Sequence, residues 1–60
     1  MTYREKIEIA KSMPAEGLER VIRKYESDLT RYSEKAKRHQ RAAEKLPFFY
    51  ELRNLKKEGA

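Results

Sequence analysis

Bulky apolar and small residues recur at alternating spacings of four and three through the middle of this chain. The set is Leu18, Ile22, Tyr25, Leu29, Tyr32, Ala36, His39, Ala43 and Leu46. A 3.5-residue repeat sustained over about four heptads is typical of the buried seam of a coiled coil or a helical bundle. A β-strand would instead show strict alternation between turn signals, and no segment has that pattern. The sequence therefore predicts an all-α protein with a long helix that packs along one seam.

Two prolines, Pro14 and Pro47, divide the chain into three predicted helices. Proline suits the first turn of a helix but breaks or kinks a helix interior. The predicted architecture is short–long–short, with a first helix over about residues 3–11 and a central heptad-patterned helix over about 14–46. A third helix follows Pro47. The alternative is one continuous helix that is only kinked at this proline.

A chain of 60 residues is expected to form one small domain, residues 1–60, with a thin core. It has no cysteine and one histidine, so disulfides, thiolate metal sites and histidine clusters are excluded as supports. Small scaffolds without such supports commonly gain stability by oligomerisation. We therefore expect a homo-oligomer, with a dimer as the first expectation. The predicted self-association seam is Leu18, Ile22, Tyr25, Leu29 and Tyr32.

The second half of the seam, residues 36–43, has small residues around the polar His39. A polar residue at a seam position can set the register of packing. Phe48 and Phe49 offer bulk to fill this part, from the same chain or from a partner. Together with Tyr50 they point in three directions around a helix, so one core can hardly bury all three. The candidate partner-binding residues are His39, Phe48, Phe49 and Tyr50, and the alternative is that they serve only internal packing.

Positive charge is concentrated in residues 31–45, which hold six basic and two acidic side chains in a chain of net charge +5. A helix would align several of them in a row that matches the phosphates of a nucleic acid. The heptad row is Lys24, Arg31, Arg38 and Lys45. The candidate nucleic-acid-binding residues are Arg31, Lys35, Arg38, Arg41 and Lys45. Glu34 and Glu44 interrupt this surface, which favours a protein partner or a plain solvated face.

No pattern indicates catalysis, a metal or a cofactor, because no nucleophile stands beside a base and no glycine-rich phosphate loop is present. We expect a non-catalytic helical interaction module, a small accessory protein that self-associates and binds another protein. Sequence-nonspecific nucleic-acid binding is the alternative, and docking on a membrane surface is the least favoured option. Because the sequence shows no apolar leader and no membrane-spanning run, we expect a cytoplasmic protein.

Overall fold

Three helices and no strand form residues 2–59, the part of the chain that this computed structural model describes. Helix α1 spans Tyr3–Ser12, α2 spans Ala15–Arg31 and α3 spans Lys37–Lys57. The prediction of an all-α chain with three helices is confirmed. The boundaries between the second and third helices differ from the predicted ones.

The predicted central helix over residues 14–46 is in fact two helices. The chain leaves the helical conformation after Arg31, and residues 32–36 connect α2 to α3. Tyr32 and Ala36, the residues at the two ends of this turn, are both extended, with ψ angles of 147° and 141°. In a single long helix the two halves of the seam could not pack against each other. The turn lets α3 fold back onto α2, so the apolar residues are buried within one chain.

Pro47 lies inside α3 and does not break it. The predicted break is therefore wrong, and the alternative of a helix that continues through this proline is correct. Proline removes one backbone hydrogen bond from a helix interior, in this case the bond to the carbonyl group of Ala43. Both residues are exposed, so water can satisfy that carbonyl group.

Helix α3 is the central element of the fold. Helices α1 and α2 both pack against it, and within residues 2–59 they do not pack against each other. Helices α2 and α3 form an antiparallel hairpin, in which Glu19 faces Arg53 near one end of the contact and Glu26 binds Tyr50 further along. Helix α1 packs against the C-terminal half of α3, where Lys6 Nζ donates to a Glu51 carboxylate oxygen at 3.0 Å.

The core draws on all three helices. Its buried residues are Ala10, Leu18, Ile22, Ala42, Leu46, Leu52 and Leu55. The heptad pattern identified Leu18, Ile22 and Leu46 correctly, but it placed Ala43 in the seam, and Ala43 is exposed while Ala42 is buried. At this position the core of α3 is therefore shifted by one residue from the predicted seam.

Candidate nucleic-acid interface

Helices α2 and α3 enclose a surface groove of about 240 Å³ close to their connecting turn. The residues that line it are Lys24, Tyr25, Asp28, Arg38 and Arg41. Three of these side chains are cationic and one is anionic. We call this feature the basic groove.

The helical repeat explains why these residues converge. Lys24 and Asp28 are four residues apart on α2, and Arg38 and Arg41 are three residues apart on α3, so each pair shares one helix face. Antiparallel packing then sets the end of α2 beside the start of α3. The groove carries a net charge of about +2 from side chains that α2 and α3 contribute together.

Arg38 is held in place by Tyr32, the residue that follows α2. Its Nη1 atom donates to the Tyr32 hydroxyl at 2.9 Å, and its guanidinium group lies 5.2 Å from the centre of the Tyr32 ring. A cation over an aromatic face is favourable even at an exposed site. Tyr32, predicted as part of the self-association seam, is half-buried here and positions Arg38 at the groove.

His39 supports the turn. Its Nδ1 atom lies 3.1 Å from the carbonyl oxygen of Tyr32, a distance suited to a hydrogen bond when Nδ1 carries the proton. The side chain is half-buried. This contact ties the first turn of α3 to the end of α2, so the histidine contributes to the geometry that brings the groove residues together.

The start of α3 adds to the positive potential near the groove. Ala36 occupies the N-cap position, where its methyl group cannot accept a hydrogen bond, and Lys37 and Arg38 follow it. A helix N-terminus carries a partial positive charge that acidic residues normally offset. Basic residues at this position oppose helix stability and favour the approach of an anion.

The other candidate nucleic-acid-binding residues lie around the basic groove and do not line it. Arg31 ends α2, Lys35 is in the turn and Lys45 is on α3, and all three are exposed. Lys24 belongs to the predicted heptad row, but it precedes the basic segment, so the charge density along the chain does not identify it as a candidate. No sequence pattern indicates that Asp28 belongs to the groove, because only the antiparallel packing places it beside the two arginines.

A wider depression at the start of α2 has a different character. It is lined by Ala15, Glu16, Glu19, Arg20 and Arg23, so its two acidic residues match its two basic ones. It therefore has no net charge to attract an anion. Of these two surface features, the basic groove is the one whose net positive charge favours an anionic ligand.

The aromatic residues predicted to contact a partner pack against the core of the same chain. Phe49 stacks on Tyr25 with ring centres 5.7 Å apart, and Phe48 meets Phe49 edge-on at 5.4 Å. All of these rings are half-buried and pack against the core. Among residues 2–59, Tyr3 is the one large hydrophobic side chain that is exposed, with 62% of its surface accessible.

Tyr50, the third of these aromatic residues, is anchored by polar contacts. Its hydroxyl donates to a Glu26 carboxylate oxygen at 2.8 Å, and the Arg53 guanidinium group lies 5.1 Å from its ring centre. The hydrogen bond to Glu26 raises the pKa of Tyr50 above its ordinary value of 10.0, and partial desolvation and the carboxylate charge act in the same direction.

This raised pKa predicts how stability depends on pH. The folded chain holds the Tyr50 proton more tightly than the unfolded chain does, so the contribution is complete below pH 10 and is lost as pH rises through the folded pKa. We expect the free energy of unfolding to fall less steeply in this alkaline range for Tyr50→Phe than for the wild type. Urea unfolding at a series of alkaline pH values measures the difference, and identical pH profiles would show that the hydrogen bond contributes nothing.

Other kinds of site find no support in residues 2–59. No group of three or more histidine and carboxylate side chains in this part of the chain could hold a metal ion. None of its helices combines the length and apolar character needed to cross a membrane. Comparisons with protein-family models, curated proteins and solved structures find no match to this chain.

Proposed function

We propose that this protein is a non-catalytic helical module that binds the phosphate backbone of nucleic acid through the basic groove, without base-sequence preference. The observation that carries the proposal is the convergence of Lys24, Arg38 and Arg41 from two helices. Such a module would act in the cytoplasm, where nucleic acid is available to it.

Arginine at two of the three cationic positions favours phosphate as the ligand. A guanidinium group is planar and donates two parallel hydrogen bonds to phosphate oxygens, which a lysine ammonium group cannot do. Arg38 is already oriented by Tyr32, so less side-chain freedom is lost on binding. The carboxylate of Asp28, which also lines the groove, repels phosphates. The groove therefore suits contact with a few phosphates at a time.

The exposed cations around the groove extend the contact. Arg31, Lys37 and Lys45 are exposed on the same two helices. Each phosphate that a protein neutralises releases counterions, so affinity for nucleic acid depends on both the number of contacts and the salt concentration. Neutralising three phosphates gives a slope of about −2 to −3 for log affinity against log salt, and the additional cations would make it steeper.

The distribution of apolar surface disfavours a protein partner. Hot spots in protein interfaces are built around aromatic anchors and arginine. In this chain Phe48, Phe49 and Tyr50 already pack against the core of the same molecule. Binding of another protein through these residues, which the sequence pattern predicts, would therefore have to displace internal contacts.

A binding titration tests the proposal. Fluorescence anisotropy with labelled mixed-sequence duplex DNA, single-stranded DNA and RNA should show binding to all three that weakens steeply as salt is raised. Unlabelled poly-glutamate serves as the competitor, because it carries the charge of an acidic protein without phosphate. Absence of binding at low salt would overturn the proposal. Equally effective competition by poly-glutamate at matched charge would point to an acidic protein partner.

Self-association remains a second candidate, and the continuity of the heptad repeat favours it. Leu18 and Ile22 of the predicted seam are fully buried in the chain's own core. They are therefore not free to pack against a second molecule while the α2–α3 hairpin is closed. Association through the seam would require the two chains to exchange helices.

A further inference from the structure

The turn between α2 and α3 is built from residues that an α-helix accepts. Its sequence over residues 32–36 is Tyr-Ser-Glu-Lys-Ala, without glycine or proline, and no residue in it has a positive φ. Helix C-termini are very commonly closed by a glycine in the left-handed conformation, and this one is not. Tyr32 and Ala36 have φ angles of −111° and −75°, and their extended ψ angles are what separate α2 from α3.

One stripe of buried and half-buried side chains also runs across the turn. Tyr25, Tyr32, His39 and Leu46 follow each other at intervals of seven residues, and all four are buried or half-buried. In the observed core Ala42 is buried in place of Ala43. The two side chains are neighbours and lie about 100° apart around the helix, so the shift affects one residue at the edge of the stripe. An apolar stripe at least this wide is normal for a helix that packs on a core. A helix running without interruption through the turn would therefore keep these residues on one side.

We propose that two copies of the chain exchange α3 by straightening this turn. In each copy Ala15–Lys57 then forms one helix, and α3 of one chain packs on α2 of the other. The contacts of the hairpin re-form between the chains, including the stack of Tyr25 on Phe49 and the bond from Tyr50 to Glu26. The partner that fits this surface is a second copy of the same chain.

The balance between the two forms depends on the turn and on concentration. The exchanged dimer keeps the contacts of the hairpin and gains helical hydrogen bonds across residues 32–36. Its formation costs the translational and rotational entropy of one molecule. Short connections that restrain a hinge favour such exchange, and longer ones prevent it. Raising the protein concentration favours the dimer by mass action.

A serine-to-alanine substitution in the turn tests the proposal against a matched control. Ser33 is outside a helix in the hairpin and inside one in the exchanged dimer, whereas Ser27 is an exposed helical residue of α2 in both forms. Alanine has the higher helix propensity, and a dimer contains two copies of each site. Ser33→Ala should therefore raise the association constant roughly five-fold. Ser27→Ala should leave it unchanged, as measured by analytical ultracentrifugation from micromolar to millimolar protein.

An insertion provides the opposite change. Adding Gly-Ser-Gly-Ser between Glu34 and Lys35 lengthens the connection between α2 and α3, and it breaks any helix that would pass through the turn. This variant should keep its helical circular dichroism and remain monomeric at concentrations where the wild type dimerises. A dimer that persists in the insertion variant would overturn helix exchange, and so would equal association constants for the two serine variants. The absence of a dimer in the wild type and in Ser33→Ala at millimolar concentration would also overturn it.

A distance within one chain distinguishes exchange from side-by-side association. Glu16 and Asn54 are exposed, and the chain has no cysteine, so Glu16→Cys and Asn54→Cys provide two unique label sites. A continuous helix separates them by about 57 Å at 1.5 Å per residue, whereas the hairpin is only 35 Å in its longest dimension. Doubly labelled chains, diluted into excess unlabelled protein so that the dimers carry one labelled chain, should show the long distance. A hairpin distance in the dimer would contradict the proposal.

Discussion

Reversing the three positive charges of the basic groove should abolish nucleic-acid binding without weakening the fold. In a combined variant with Lys24→Glu, Arg38→Glu and Arg41→Glu, each lost phosphate contact is replaced by repulsion. We expect affinity at low salt to fall by at least about 100-fold, because charge neutralisation supplies most of nonspecific binding. All three side chains are exposed, so their removal leaves no cavity. Fluorescence anisotropy with labelled DNA measures the change.

The same variant should be at least as helical as the wild type. Arg38 lies in the first turn of α3, where a glutamate would interact favourably with the partial positive charge of the helix end. The loss of the contact with Tyr32 offsets part of this gain. Circular dichroism and urea unfolding should therefore separate lost binding from lost structure.

A second charge-reversed variant controls for net charge alone. Arg4, Lys11 and Lys57 are exposed on α1 and at the end of α3, outside the basic groove. Changing these three residues to glutamate alters the net charge by the same amount. We expect only a several-fold loss of affinity at low salt, because their interaction with a ligand in the groove is screened by solvent and salt. Equal losses in the two triple variants would show that binding follows total charge and not the groove.

Replacing Leu52 by alanine should remove much of the stability of the fold. Leu52 is completely buried on α3, the helix against which α1 and α2 both pack. A leucine-to-alanine change in a core costs about 2–5 kcal/mol. The total stability of a chain this size is about 3–9 kcal/mol at typical values per residue. Urea unfolding followed by circular dichroism should show a large fall in the transition midpoint, with a substantial unfolded population in the absence of urea.

Tyr3→Ala is the matched control for this core substitution. It also removes a large side chain, but the tyrosine is mostly exposed. Surface substitutions usually change stability by less than about 0.5 kcal/mol. If Leu52→Ala cost no more than Tyr3→Ala, α3 would not be the helix that organises the core.

The apolar face of α2 could be predicted from the sequence, because helical periodicity identifies residues that must be buried together. Leu18 and Ile22 were assigned in this way and are fully buried. The periodicity does not say whether the buried face meets another chain or a later part of the same chain. That choice depends on the turn at residues 32–36, which has no local signal, since glycine and proline are absent from it.

The local signal at Pro47 was misleading, whereas Pro14 does lie at the boundary between α1 and α2. A proline at this position predicts a break, yet α3 passes through Pro47 with the proline on the solvent side. Burial of Leu46 before it and Leu52 after it favours continuation of the helix over the cost of one lost hydrogen bond. At Pro47 tertiary packing outweighs the local preference for a break, and at residues 32–36 it outweighs the local preference for a continuous helix.

The candidate site was predictable only in part, for a related reason. Charge density along the chain identified Arg38 and Arg41, which lie within the basic segment. Lys24 and Asp28 come from a different helix, and their place beside the arginines follows from antiparallel packing. A linear pattern cannot show which cations converge until the fold is known.

The position of bound nucleic acid tests the central claim most directly. Backbone amide shifts, measured by NMR during titration with a short mixed-sequence DNA duplex, report which residues contact the ligand. We predict that the largest changes fall in residues 24–31 and 37–45, on the two helices that form the basic groove, while α1 changes little. Largest changes on α1, or equal changes at exposed basic residues throughout the chain, would contradict the assignment of the groove as the binding site.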